Sequence, residues 1–445
     1  MNRKLAAACL VTAPLALAVA TAVDPALGDT PEYGVYRQHP DAILWHSVLL
    51  HWAWVLFVPG LLGLLAPVRR LDAVPDAVAW VASVVGLVTF AALMSVDVAI
   101  LALEQTVPDA DVARVFDRFE SYVWGTVGWQ VPGLLGWAVA VVAGPLAAAR
   151  ARVVSWWTAG SALAGTALYF LFAIEPVPLC LAGPVVMLCA YAAAAVELVR
   201  GRPFGASGVP AAAEADTFGR FTFRAGLVCM VAAPVSFAIG MGTIPGGSYE
   251  PSGFVEHPTA AQVSAFFLHL TWVLFVPAVL TLMRVGGRFV RVAGTLTVLG
   301  LLNFSGLMLG DHTDLAARQV LGAGVADEVA RRIDGYALFS LGWAVPGMVL
   351  SLVGLIAVAV AAGVDRLVPW WVPGVVVLGF VGFFVMPPAP ATAVVGPLLL
   401  LVGFGLLARG AARRPSSSPE PASSPPLSSS PGPSSPAPSS WRSSS

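Results

Sequence analysis

Two histidines occupy the same place in two copies of a nine-residue stretch. The first copy is His51-Trp-Ala-Trp-Val-Leu-Phe-Val-Pro59, and the second is His269-Leu-Thr-Trp-Val-Leu-Phe-Val-Pro277. Seven of the nine positions are identical, which indicates an internal duplication. An imidazole titrates near neutral pH and is also a common metal ligand, so a histidine retained inside an apolar helix is a functional hypothesis.

Each histidine has a candidate acidic partner in the apolar segment that follows. Asp97 and Asp311 correspond to each other in the two copies, and each lies near the end of its segment. From the rise of about 1.5 Å per helical residue, we expect His51 and Asp97 at a similar depth. The sequence therefore predicts the pairs His51–Asp97 and His269–Asp311, which would lower the cost of a poorly solvated carboxylate and could carry protons.

Two tryptophans share the helical face of the histidines. Trp54 and Trp272 follow His51 and His269 by three residues. Two interpretations stay open. The indole rings either stack on a bound ligand, or they belong to the aromatic belt at the outer membrane interface.

Metal or haem binding is an alternative use of the same residues. His39, His257 and His312 add further imidazoles on the predicted outer side. A divalent metal is one candidate cofactor, and a haem held axially by His51 and His269 is another. The spacing from His39 to His51 matches no recognised metal motif.

The elements that position these residues are membrane helices. Apolar residues make up 58% of the chain and charged residues 11%, well below the share of about 25% in soluble domains. We predict an all-α polytopic membrane protein with about twelve transmembrane helices. They lie near 5–23, 44–66, 77–103, 122–148, 153–174, 179–199, 225–244, 262–283, 290–310, 335–362, 368–386 and 391–408.

The duplication sets the predicted domain organisation. Further matches join Tyr122 to Tyr336 and Gly128-Trp129 to Gly342-Trp343, at an offset of 214 residues, whereas the offset of the histidine motif is 218. Six helices per copy is an even number, so we predict parallel repeats related by a pseudo-twofold axis. The predicted parts are a first six-helix repeat (1–199), a cytoplasmic linker (200–224), a second repeat (225–410) and a disordered Ser/Pro-rich tail (411–445).

Loop charges predict the orientation. Arginines recur in alternate loops, which places both termini in the cytoplasm of a bacterial cell and the protein in the plasma membrane. Residues 5–23 could instead be a signal peptide. The match of Cys9-Leu-Val-Thr-Ala-Pro14 to Cys229-Met-Val-Ala-Ala-Pro234 favours a retained helix.

The six-plus-six plan resembles the major facilitator architecture, but in architecture only. That family carries a Gly-x-x-x-Asp-x-x-Gly-Arg-Arg motif between its second and third helices. Here the loop reads Pro67-Val-Arg-Arg-Leu-Asp72, and its counterpart reads Met283-Arg-Val-Gly-Gly-Arg288. Neither fits the motif, so the sequence assigns no family.

Transport of a small solute is the leading functional prediction, with proton coupling through the outward His/Asp pairs. The alternatives are a haem- or metal-binding membrane protein and a structural membrane protein without a substrate. Phosphate-binding loops, dinucleotide fingerprints and metalloprotease motifs are absent from the sequence, as is a basic stripe suited to nucleic acid. The lipid bilayer and a small solute are the predicted partners. The sequence does not predict the oligomeric state.

Overall fold

A computed structural model describes residues 3–28, 30–68, 74–201, 216–245, 251–386 and 389–414. All regular secondary structure in these ranges is helical. Most of the predicted linker (202–215) and the predicted disordered tail from residue 415 onward lie outside the described residues. We refer to residues 3–201 as the first half and to residues 216–414 as the second half.

Among the described residues, ten helices are long and apolar enough to cross a membrane, judged by length and composition. Two shorter apolar helices, Trp156–Phe172 and Trp371–Val385, complete the bundle. In chain order we label them α1 (Arg3–Val23), α2 (Pro40–Leu65), α3 (Pro75–Glu104), α4 (Val123–Arg150), α5 (Trp156–Phe172), α6 (Leu179–Arg200), α7 (Thr217–Gly242), α8 (Pro258–Val285), α9 (Arg288–Leu321), α10 (Ala337–Val364), α11 (Trp371–Val385) and α12 (Ala391–Arg413).

The architecture is that of a multi-pass, all-helical membrane protein, as the sequence predicts. Two boundaries differ noticeably from expectation. Helix α9 continues to Leu321 instead of ending near 310. Helix α7 begins at Thr217 instead of 225, because the Asp216 carboxylate accepts a hydrogen bond from the Gly219 amide (2.8 Å) and caps the helix.

Helix packing is most extensive within each half. The main pairs are α1 with α2 and α5 with α6 in the first half, and α7 with α8 and α9 with α10 in the second. Glycines allow some of the closest approaches, since a Cβ placed on Gly86 of α3 would overlap the backbone of Gly136 in α4. Small residues at such crossings are typical of membrane helices.

Two amphipathic helices absent from the sequence prediction cover one end of the bundle. The first cap helix is Asp109–Glu120, and the second is Ala323–Gly335. Each packs across the molecule: the first contacts the end of α9, and the second contacts the end of α3. We call this end of the bundle the cap end, and the opposite end, where α1 begins and α12 finishes, the terminal end.

The helices α3 and α9 are too long for the hydrocarbon layer alone. They contain 30 and 34 residues, which correspond to about 45 and 51 Å at 1.5 Å per residue. The hydrocarbon core of a bilayer is about 30 Å thick. Each is therefore longer than an untilted span requires, and the cap-end portion of each packs against a cap helix.

Candidate functional site

His51 lies in α2 at the seam between the two halves and is fully buried. Its Nδ1 donates to the Ala91 carbonyl of α3 (3.0 Å). Its Nε2 is 2.9 Å from Asn303 Oδ1 in α9 of the second half. The imidazole also stacks on the indole of Trp343, with ring centroids 3.4 Å apart. His51 therefore joins the first half to the second.

His269 in α8 makes the corresponding contacts from the second half to the first. Its Nδ1 donates to the Ser305 carbonyl of α9 (3.2 Å), and its Nε2 is 3.2 Å from Thr89 Oγ1 in the first half. The imidazole stacks on Trp129, with centroids 3.8 Å apart. The offset that relates Trp129 to Trp343 in the sequence also relates Ala91 to Ser305 and Thr89 to Asn303. The two sets of contacts thus use the same positions of each half.

The tryptophans that stack on the histidines lie in local distortions of their helices. Trp129 and Trp343 each lie in a single π-helical turn, Thr126–Gln130 and Ser340–Ala344. Their indole nitrogens donate to the carbonyls of Thr89 (3.2 Å) and Asn303 (2.9 Å). Thr89 and Asn303 therefore each have two roles. The backbone carbonyl accepts a hydrogen bond from a tryptophan, and the side chain contacts a histidine. Such π-turns are frequent at functional sites.

The two histidines differ in what their Nε2 atoms face. Asn303 donates through Nδ2 to the Leu299 carbonyl (2.7 Å), so its Oδ1 is the atom turned toward His51. Both nitrogens of His51 consequently face oxygen acceptors, so a neutral ring, which carries one N–H group, leaves one of the two contacts without a hydrogen. The Thr89 hydroxyl beside His269 can donate or accept, so a neutral ring satisfies that contact.

Neither predicted His–Asp pair forms. Asp97 accepts from the Ser47 hydroxyl (3.2 Å), one turn from His51 toward the cap end, while both nitrogens of His51 have other partners. Helix α2 begins at Pro40, before the predicted start near 44, so His51 lies 11 residues from the cap-end boundary of α2, whereas Asp97 lies 7 residues from that of α3. The two residues are therefore at different depths. Asp97 instead interacts with His46 and Asp24. These two residues are themselves close, with His46 Nδ1 3.7 Å from Asp24 Oδ2.

The second half carries a different group of ionisable residues at the cap end. Asp311 interacts with Asp314, and Asp314 pairs with Arg318 (2.7 Å). Between Asp311 and this ion pair, His312 is buried, and neither of its ring nitrogens has a hydrogen-bond partner among the described residues. The Met308 backbone lies near the ring without hydrogen-bond geometry. An unsatisfied buried polar group costs about 1–3 kcal/mol, which makes His312 a candidate ligand contact.

The other predicted site residues lie apart from this seam. His39 and His257 are exposed and precede the prolines that begin α2 and α8. Trp54 and Trp272 are buried inside the aromatic core of their own halves, where Trp54 packs on Trp137 and Trp272 on Phe304. The aromatic-belt interpretation is therefore wrong for both rings.

Polar contacts also join the halves above the histidines, at the cap end. Tyr122 donates to Gln319 Oε1 (2.9 Å), and Tyr336 donates to Gln105 Oε1 (3.0 Å). Arg118 reaches the same oxygen of Gln319 (2.6 Å), and Arg332 reaches that of Gln105 (3.5 Å). Burial raises the pKa of Tyr122 and of Tyr336 to about 12, and the neighbouring arginine lowers each in part. Both hydroxyls therefore remain donors at physiological pH.

Sequence reasoning missed the polar side chains that contact the histidines. Asn303 and Thr89 differ in type, so a search for identical repeated residues passes over them. Gln105 and Gln319 are identical and are related by the same offset as Tyr122 and Tyr336. The repeat could have revealed the glutamine pair, as it did the tyrosine pair.

Comparisons with known protein families, curated proteins and solved structures find no match to this chain. Among the described residues, no group of three or more His, Cys, Asp or Glu side chains is arranged to hold a metal ion. To ligate a haem, His51 or His269 would have to exchange one of its hydrogen bonds for the metal. Haem and metal binding stay predictions.

Proposed function

We propose that this protein is a carrier that moves a small solute across a bacterial plasma membrane. In the proposal, twelve helices form two parallel six-helix repeats, both termini are cytoplasmic and the cap end faces outward. The arginines of the terminal-end loops, such as Arg150, Arg200 and Arg284, support this orientation. Carriers built from parallel repeats place their pathway between the repeats.

The observation that carries the proposal is the pair of crossed histidine contacts at the seam. Two imidazoles, each bonded to both halves, contribute hydrogen bonds and ring stacks to a seam that also contains apolar contacts between α3 and α9. A typical hydrogen bond contributes about 0.5–1.5 kcal/mol net, so contacts of this kind can break and re-form during a cycle. The extensive apolar packing within each half favours motion of each half as a unit.

We place solute contact at His312 and proton uptake at His51. The free nitrogens of His312 lie beneath the first cap helix, where Tyr122 and Trp129 flank its ring. His51 supplies the coupling step, because its two oxygen partners accept two N–H groups. We do not propose proton coupling through a His–Asp pair, because the groups that contact His51 and His269 are uncharged.

Cross-linking across the seam tests the proposal. In a background with the four cysteines replaced, Arg118→Cys with Gln319→Cys is joined by a flexible bis-maleimide. Arg37→Cys with Asp109→Cys, an ion pair within the first half (2.7 Å), is the matched control. Counterflow into vesicles is measured for a panel of amino acids, sugars, carboxylic acids, amines and nucleosides.

We expect at least one solute to accumulate above protein-free vesicles, and only the cross-half link to stop it. Two outcomes contradict the proposal. One is a panel in which no solute moves, and the other is transport that survives a complete cross-half link.

A further inference from the structure

A basic cleft opens between α11 and α12 at the terminal end of the second half. Its volume is about 410 Å³, and its lining includes four arginines and an indole. We call it the arginine cleft and define it by Arg366, Trp371, Arg409, Arg413 and Arg414. It lies far along the bundle from the seam histidines and takes no part in the proposed transport site.

The positive charge of the arginine cleft is largely uncompensated. Arg414 donates to the backbone carbonyls of Val285 and Asp365, both at 2.9 Å. Within the described part of the chain, Arg366, Arg409 and Arg413 form no ion pair. The nearby Asp365 carboxylate accepts from the Gly287 amide (2.5 Å). Three guanidinium groups are therefore available to an anion.

The first half shows what fills the equivalent space. There, Glu197 accepts from the Ser155 amide (2.8 Å) and the Thr158 hydroxyl (3.0 Å). The offset that relates Gly183-Pro184 to Gly396-Pro397 aligns Glu197 with Gly410. The offset that relates Trp156-Trp157 to Trp370-Trp371 aligns Ser155 with Pro369 and Thr158 with Val372.

The second half has thus lost both the carboxylate and the groups that it bonds. It has gained Arg409 and Arg414 where the first half has Val196 and Gly201. A Cβ on Gly410 would lie 2.5 Å from the Leu367 carbonyl oxygen, so glycine is required at this close approach. The site that Glu197 occupies in the first half thus corresponds to an open, basic site in the second half.

We propose that the arginine cleft binds the phosphate headgroup of an anionic membrane phospholipid. Guanidinium groups bind phosphate oxygens in a bidentate manner. Trp371 is 57% exposed and neighbouring Trp370 66% exposed, which suits indoles at the level of the headgroups. The apolar faces of α11 and α12 continue from the cleft into the bilayer, where acyl chains lie. Basic pockets between membrane helices bind anionic headgroups in this way.

Lipid binding to the purified full-length protein tests the proposal. Native mass spectrometry counts bound phosphatidylglycerol and phosphatidylcholine over a range of lipid concentrations. The test variant is Arg409→Gln with Arg413→Gln, and Arg409→Lys with Arg413→Lys keeps the charge. Arg200→Gln, at the position equivalent to Arg413, is the matched control. Inorganic phosphate is added as a competitor in a separate arm.

We expect the glutamine variant to weaken phosphatidylglycerol binding roughly tenfold or more, because two charge-assisted contacts to the phosphate are lost. The lysine variant should lie between it and the natural protein, and Arg200→Gln should bind normally. An equal loss in Arg200→Gln, or unchanged binding in both cleft variants, would overturn the proposal. Displacement of the lipid by inorganic phosphate at equal concentration would also overturn it, because the site would then recognise a free phosphate.

Discussion

His312 shows how a single residue distinguishes the two halves. Its ring lies edge-on to Trp129 (5.9 Å between centroids), as the ring of Phe339 lies on Trp343 (5.4 Å). The residue corresponding to His312 in the first half is Val98, which is buried among apolar side chains. The imidazole of His312, whose nitrogens have no hydrogen-bond partner among the described residues, therefore lies beside Trp129 where a phenyl ring lies beside Trp343.

Replacing His312 by an apolar ring should separate stability from function. We expect His312→Phe to keep or raise the thermal midpoint in detergent, because an unsatisfied polar group is removed without loss of shape. Solute uptake should be lost. The reverse change, Val98→His, should destabilise by about 1–3 kcal/mol. A His312→Phe protein that transports normally would remove His312 from the solute site.

Asn303 should decide whether transport responds to protons. Asn303→Thr gives His51 the partner type that His269 has in Thr89, and a neutral ring then satisfies both contacts. We expect uptake by the natural protein to accelerate with an inward proton gradient, and uptake by Asn303→Thr to be insensitive to it. Thr89→Ser, which keeps a hydroxyl beside His269, is the control. Equal responses of the natural protein and Asn303→Thr would exclude His51 as the coupling residue.

Residue types and their spacing predict the two histidines of the site, but they do not predict which residues contact them. The repeated motif identifies His51 and His269, because both copies retain a histidine at the same position. Their partners come from α3, α4, α9 and α10, and which of these cross the seam depends on the packing of the whole bundle. Asn303 and Thr89 carry no signal of their own in the sequence.

Among the elements, the crossing of α3 and α4 depends on a glycine pair. Gly86→Ala places a methyl group into the backbone of Gly136, and neither backbone can move without disturbing its helix. We expect a loss of about 1–3 kcal/mol or more from overpacking, despite the better helix propensity of alanine. Gly374→Ala in α11, with nothing within 4 Å of the added Cβ, is the control. Equal thermal midpoints for the two variants would refute the close packing.

The cap helices should respond to alkaline pH. The pKa of Tyr122 and of Tyr336 is raised from 10.0 to about 12, so each protonated hydroxyl stabilises the fold fully below pH 10. This contribution is lost as the pH rises from 10 to 12. We expect Tyr122→Phe with Tyr336→Phe to show a shallower fall of the thermal midpoint in that window. Superimposable pH profiles would contradict the role of these hydroxyls.

The sequence predicted the membrane helices better than the helices outside the membrane. Long apolar runs define most of the former to within a few residues, and the start of α7 and the end of α9 are the exceptions. The sequence prediction contains no helix at the first cap helix, although Val112, Val115, Phe116 and Phe119 have the spacing of one apolar helical face. Its charged residues, such as Arg114 and Arg118, obscured that pattern.

At the scale of the whole molecule, the halves should remain associated without a covalent link. We expect a protease site inserted at residue 208 to be cut after folding without separating the halves, because the seam contacts persist. Trp129→Ala with Trp343→Ala removes both ring stacks and should allow separation during size-exclusion chromatography. Separation of the otherwise unaltered cut protein would show that the seam contributes little to cohesion.

The two π-turns also affect how these helices should be drawn. One additional residue in a turn shifts everything beyond it by about 100° around the axis. A helical wheel that treats Val123–Arg150 or Ala337–Val364 as one regular α-helix assigns the residues on either side of the turn to inconsistent faces. Any redesign of the lipid-facing surface of these helices needs two wheels per helix, joined at Trp129 or at Trp343.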